Sequence, residues 1–123
     1  MTTLYFSKDH EYAAVDGDVA TIGISHHAQE ALGDVVFVDP PKIGARVTKG
    51  DAVAVVESVK AASDVFSPVS GEIIAVNDAL SAAPGIVNEE PMGKGWIFKV
   101  RMDAAPEGLM DQAAYDAFLA SIA

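Results

Sequence analysis

From Trp96 to Met102 the chain alternates: Trp96, Phe98, Val100 and Met102 fall on one face, Lys99 and Arg101 on the other. A period of two with one apolar face predicts a half-buried strand. Tyr12 to Ile24 reads strand, turn, strand, with Asp16-Gly17 supplying the positive-φ positions of a tight hairpin. Ser25 is placed to cap a short helix near 26–32, through Ala28, Gln29 and Ala31, and Gly33 to stop it. Asp34-Val35-Val36-Phe37-Val38 is a β-branched run ended by Pro40-Pro41, which cannot donate ladder hydrogen bonds. Further strands are predicted at 52–58, 62–66 and 72–76. After Pro106-Glu107, the residues Leu109, Ala113, Phe118, Leu119 and Ile122 fall near helical spacing, which predicts an amphipathic C-terminal helix over about 107–122. Many short strands between Gly, Pro and Asp turns predict a mainly β domain, a sandwich or small barrel.

Length and composition narrow this picture. A chain of 123 residues suits one domain, 1–123, with a real core. No run approaches the roughly 20 apolar residues of a membrane span, so no membrane partner is expected. The first residues, Met1-Thr2-Thr3-Leu4-Tyr5-Phe6-Ser7-Lys8-Asp9, have neither a secretory nor a transit-peptide layout. The expectation is a soluble cytoplasmic protein; a mitochondrial matrix protein stripped of its presequence carries the same pattern. Eight Lys and Arg against eighteen Asp and Glu, scattered rather than striped, disfavour nucleic acid. With no Cys there is no disulfide, no thiolate metal site and no cysteine nucleophile. Any thiol chemistry must arrive on a cofactor.

Self-contained catalysis finds no support. His26 and His27 are neighbours that point to different faces, and with His10 they read as surface residues rather than metal ligands. No zinc-protease, nucleophile-elbow, phosphate-loop or calcium-loop motif is present. One residue stands apart. Lys60 is the only cation between Lys49 and Lys94 in a chain of formal net charge -10, and it lies between two predicted strands. A Schiff-base lysine needs desolvation or a neighbouring cation, whereas Lys60 has Glu57 and Asp64 nearby. Its small and β-branched neighbours instead leave it as the one long side chain at the tip of a core hairpin at about 50–77. Val47 to Asp51 and Val69 to Glu72 form a weak echo on either side, which suggests a quasi-twofold sheet arrangement with Lys60 at its centre.

Gly50-Asp51, Val56-Glu57-Ser58-Val59-Lys60-Ala61 and Ser67-Pro68-Val69-Ser70-Gly71-Glu72 together resemble the attachment region of lipoyl domains. With Val19 to Ile24, Leu32-Gly33-Asp34-Val35-Val36-Phe37-Val38 and Gly95-Trp96, nearly the whole chain is similar to the H-protein family of the glycine cleavage system. Biotin carriers share the hairpin but place methionine on both sides of the modified lysine, where this chain has Val59 and Ala61. Lipoyl domains of 2-oxoacid dehydrogenases more often carry an acid before the lysine, and form part of a longer chain.

The resemblance implies a lipoyl/biotinyl-type barrel-sandwich hybrid and a non-catalytic carrier, with lipoate amide-linked to Lys60. It implies three partners: a pyridoxal-phosphate glycine decarboxylase, an aminomethyltransferase and a dihydrolipoamide dehydrogenase. A lipoate ligase or lipoyltransferase would install the arm. The carried group is the aminomethyl unit of glycine, held at high effective concentration near each docked partner. In the family the loaded arm folds back into a cleft, which makes Glu11 of His10-Glu11-Tyr12 the candidate partner of the aminomethyl ammonium, with Asp64 assisting. Some relatives place a histidine before Leu-Gly, where this chain has Ala31. Glu57 and Ser58 read either as recognition features for the lipoylating enzyme or as residues that keep the hairpin solvated. Two alternatives stay open: an H-like protein that relays lipoyl groups to other lipoyl domains, and an unmodified protein-interaction domain.

Overall fold

The structure is a computed structural model, and it describes residues 2–122. The chain opens with β1 (Thr3–Phe6), β2 (Glu11–Asp16) and β3 (Val19–Ile24), followed by helix α1 (His26–Leu32). Next come β4 (Val35–Asp39), β5 (Arg46–Val47), β6 (Ala52–Ser58), β7 (Ala62–Phe66) and β8 (Gly71–Val76). Two one-turn helices, α2 (Ala79–Ala82) and α3 (Ile86–Glu89), lead to β9 (Phe98–Met102) and α4 (Gln112–Ile122). The strands form a six-stranded sheet in the order β1-β2-β3-β9-β8-β5 and a three-stranded sheet in the order β4-β6-β7. Every named strand pairing is antiparallel.

The two sheets close on one apolar cluster. Ile22, Ile73, Phe98 and Val100 come from the larger sheet, and Val38, Ala54, Val56 and Val65 from the smaller. In β3, β6 and β9 alternate residues enter the cluster, so burial there follows the pleat, whereas the bulge in β4 breaks the alternation and sends in Val35 and Val38. The result is the mainly β barrel-sandwich arrangement that the resemblance implies, with a helix at 26–32 and a C-terminal helix. Ser25 caps α1 by accepting the Ala28 N–H at 3.2 Å.

Three local readings differ from the sequence expectation. The strand expected from Trp96 begins at Phe98, and Ile97 rather than Trp96 is buried. The Ile97 N–H donates to the Ile22 carbonyl at 2.8 Å, and the Asn77 amide holds the Trp96 carbonyl at 2.7 Å. These bonds turn Ile97 inward and leave the Trp96 ring half-buried beneath the Lys99 ammonium, 5.0 Å from its centroid. The C-terminal helix starts at Gln112, because Gly108 sits at φ 69 and Met110 exchanges two backbone hydrogen bonds with Phe6. Its buried anchor is Tyr115, which stacks on Phe6 at 4.2 Å, whereas Ala113 and Ile122 face solvent.

His10 is half-buried, unlike His26 and His27. Its Nδ1 meets the Tyr115 hydroxyl at 2.8 Å, and the same hydroxyl meets Ser25 Oγ at 2.7 Å. Burial, and then the neighbouring His27, lower its pKa below the ordinary imidazole value.

Candidate functional site: a lysine at the β6–β7 apex

The smaller sheet has three antiparallel strands, and its central strand, β6, pairs along its length with β7 up to Glu57 and Ala62. Four residues, Ser58 to Ala61, turn the chain between them. The Ser58 hydroxyl accepts the Lys60 N–H at 3.2 Å and the Ala61 N–H at 3.1 Å, and donates to the Ala61 carbonyl at 3.2 Å. The Ser58 backbone N–H also donates to that carbonyl, at 2.8 Å. One donor and two acceptor sites exhaust a hydroxyl, so Ser58 is fully committed to holding the turn. Val59 is tied to the body of the molecule by its N–H, which donates to the Asp34 carbonyl at 3.0 Å.

Lys60 sits at the exposed apex. Its side chain lies across Gly33, the residue that ends α1: a Cβ built on Gly33 would stand 3.1 Å from Lys60 Cε and 3.7 Å from Nζ. Gly33 also has φ 80, where residues with a Cβ are strained. Both reasons make glycine the residue that leaves the lysine its place. Among the described residues no acid forms an ion pair with Lys60.

Three apolar side chains are exposed around the apex. Val59 is 68% exposed, Val36 54% and Phe37 50%. Val36 and Phe37 both face out because β4 carries a bulge between Val35 and Phe37, opposite Ser58 and Glu57. A bulge re-aims side chains in this way, and here it does so beside the lysine.

The remaining candidates separate. Glu57 is exposed beside the apex, and Asp64 is exposed partway down β7, opposite Val55. Glu11 is 2% exposed and lies at the far end of the hairpin. There Ser7 Oγ donates to its Oε1 at 2.6 Å and the Phe66 N–H donates to its Oε2 at 3.3 Å. Four strand steps from Ala62 to Phe66 put it about 13 Å along β7 from the apex. The structure therefore gathers Glu57, Ser58 and Lys60, and leaves Glu11 beyond the reach of an unmodified lysine.

Burial pushes the Glu11 carboxyl up to about 7, and the hydrogen bonds from Ser7 and Phe66 only partly oppose this. The folded state keeps a proton that the unfolded chain releases above about 4.5, so this group makes stability fall as pH rises from about 4.5 to 7. Glu11→Gln imitates the neutral acid. It is expected to be more stable than the parent by roughly 1–3 kcal/mol at pH 8, with the difference closing near pH 4, as read from urea unfolding at the two pH values. A difference independent of pH would contradict the assignment.

Two residues at the site escaped the sequence reading. Leu32-Gly33-Asp34 announces a helix stop, yet nothing in it says that Lys60 will lie against Gly33. Asn88, on α3, donates to the Gly33 carbonyl at 2.8 Å and accepts the Val35 N–H at 2.8 Å, and no local pattern marks it. Gly71 opens β8, between β5 and β9. A Cβ there would lie 2.0 Å from the Arg101 carbonyl oxygen, so glycine is required by close backbone approach in β8. Among the described residues no group of three or more His, Asp or Glu side chains forms a metal site, and no helix is long and apolar enough to cross a membrane.

Two packed sheets that present one lysine at a hairpin apex define a lipoyl/biotinyl-type carrier domain. A solved structure of a glycine cleavage system H protein from Mycobacterium marinum superposes with a TM-score of 0.89 at 35% identity, covering 96% of this chain and 97% of that one. The glycine cleavage system H protein of Phenylobacterium zucineum is 63% identical over 94% of this chain and 98% of its own length. That of Bradyrhizobium diazoefficiens is 54% identical over 98% and 100%. The glycine cleavage H-protein family model matches residues 4–122. The chain belongs to the glycine cleavage H-protein family, the non-catalytic lipoyl carriers of the glycine cleavage system.

Proposed function

We propose that Lys60 is the point at which lipoate is joined to this carrier, through an amide at Nζ. The observation that carries the reading is the apex itself: an exposed lysine on a turn clamped by Ser58, with no acid paired to it among the described residues. An exposed, unpaired amine suits the group, because it can enter another enzyme's active site and lose its proton there. The lipoyl dithiolane, once attached, supplies disulfide exchange and the sulfur that holds the one-carbon amine. This chain's residues then hold and shield. Ser58 and the Val59–Asp34 bond keep the apex rigid, and Val36, Phe37 and Val59 offer apolar contact to whichever enzyme docks. Glu11 is the candidate for receiving an ammonium carried on the arm: a buried carboxyl that titrates near 7 ionises readily when a cation arrives. Asp64, exposed on the strand between apex and Glu11, is placed to assist.

The partners follow the same reading. They are the pyridoxal-phosphate glycine decarboxylase, the aminomethyltransferase, the dihydrolipoamide dehydrogenase, and the ligase or lipoyltransferase that modifies Lys60. The test is intact-mass analysis after incubation with lipoate, ATP and a lipoate ligase. A single lipoyl increment, mapped by peptide sequencing to Lys60, is expected. An unchanged mass would leave an unmodified interaction domain as the better reading, and an increment on another lysine would move the site.

A further inference from the structure

We infer that Asn88 is a positioning residue for the Lys60 apex, acting from a separate element through the Gly33-Asp34-Val35 segment. Its side-chain amide makes three hydrogen bonds into the α1–β4 junction. Nδ2 donates to the Gly33 carbonyl at 2.8 Å and to Gln29 Oε1 at 3.0 Å, and Oδ1 accepts the Val35 N–H at 2.8 Å. Both amide protons are used, and the backbone is gripped on either side of Asp34. The Asp34 carbonyl is in turn the acceptor for the Val59 N–H, at 3.0 Å, one residue before Lys60. Gly33 itself is the surface against which the lysine side chain lies. A chain of contacts thus runs from α3 through three consecutive residues to both the backbone and the side chain of the apex.

The consequence is mechanical. β4 is an edge strand and carries a bulge at Val36, so its own ladder holds the start of the strand weakly. Gly33 lacks a side chain that would restrain the junction. Asn88 supplies the missing restraint, and without it two backbone polar groups lose their partners together. The apex would then sample orientations that a docking enzyme must reselect, which raises the apparent acceptor KM without altering the chemical step.

Asn77 provides the matched comparison. It too ties loop backbone, donating to the Lys94 carbonyl at 2.8 Å and the Trp96 carbonyl at 2.7 Å, but it has no bond to the lysine mount. The inference rests on Lys60 as the lipoylation site, and the experiment separates the two. Purified apo-protein, Asn88→Ala and Asn77→Ala are lipoylated by a lipoate ligase while amide hydrogen exchange is followed in parallel. For Asn88→Ala the acceptor KM should rise about tenfold with kcat within twofold, and the Val59 amide should exchange at least tenfold faster while that of Val100 is unchanged. Asn77→Ala should match the parent in KM and at Val59. Equal effects of the two substitutions, or an unchanged KM in Asn88→Ala, would overturn the role. Should Asn88→Ala not fold, the unaltered protein decides: Val35 and Val59 must open with the same free energy, and unequal values refute a shared clasp. If the parent takes no lipoyl group at Lys60, the attachment reading fails while the exchange measurement still reads the clasp.

Discussion

Gly71→Ala is expected to destabilise the protein by about 3 kcal/mol or more, a loss of roughly 10 °C in Tm, while leaving every group at the Lys60 apex in place. β8 is a central strand, with Val47 on one side and Met102 on the other at Gly71. A methyl there would stand 2.0 Å from the Arg101 carbonyl oxygen, 2.8 Å from its carbon and 2.9 Å from Val100 Cγ1. Two of those three atoms are backbone, so no rotamer change relieves the contact. The strands must part, at a cost to the β8–β9 ladder and to the buried Val100 beneath it. A whole-domain stability of 5–15 kcal/mol makes this a large fraction of the total. Thermal and urea unfolding measure it, and a Tm within 2 °C of the parent would show that the approach is not as close as described. Gly50→Ala is the useful contrast: nothing lies within 4 Å of its would-be Cβ, and only its φ of 95 opposes the change.

The largest functional effect is expected from Lys60→Arg, with lipoylation abolished and the fold untouched. Acylation needs a deprotonated amine to attack the lipoyl group, activated by ATP as its adenylate; the amide C–N bond forms as the acyl–phosphate bond breaks, releasing AMP and a proton. An arginine guanidinium does not deprotonate in proteins and cannot take that role, although its length and charge imitate lysine. The substitution lies at an exposed turn whose hydrogen bonds run through backbone groups and Ser58, so Tm should move by no more than 1–2 °C. Mass spectrometry and isoelectric focusing both read the result. The parent gains the lipoyl increment and becomes one charge more negative, and Lys60→Arg does neither. An increment that persists in Lys60→Arg would place the modification elsewhere.

The two substitutions act on different kinds of information. Lys60 was legible in the sequence because its neighbourhood is written locally: two β runs, a short turn of small residues, and one long side chain. The motifs around it were local as well, which is why the family resemblance and the mainly β class could be read without coordinates. Ser58, by contrast, is open in the sequence between recognition and solvation, and only the turn geometry shows its hydroxyl fully engaged with the Lys60 N–H and with the N–H and carbonyl of Ala61. The helical face at the C-terminus was misread in detail for a related reason. Spacing chose Ala113 and Ile122, whereas the helix docks through Tyr115, whose stacking on Phe6 and hydroxyl contacts to His10 and Ser25 join residues far apart in the chain.

What the sequence determined by itself, then, is what near neighbours dictate: the strands and their turns, the start and stop of α1, the absence of cysteine chemistry, and the lysine set at the turn. What only the tertiary structure decided is which distant groups meet that lysine. Gly33 beneath its side chain, Asp34 beneath Val59, Asn88 gripping both sides of Asp34, and Glu11 of β2 buried against the far end of β7 with its proton held to about pH 7 all depend on contacts between elements distant in the chain. Hydrogen bonds and desolvation act between atoms brought within a few ångströms, and the pattern along a chain records such neighbours only when they are also neighbours in sequence.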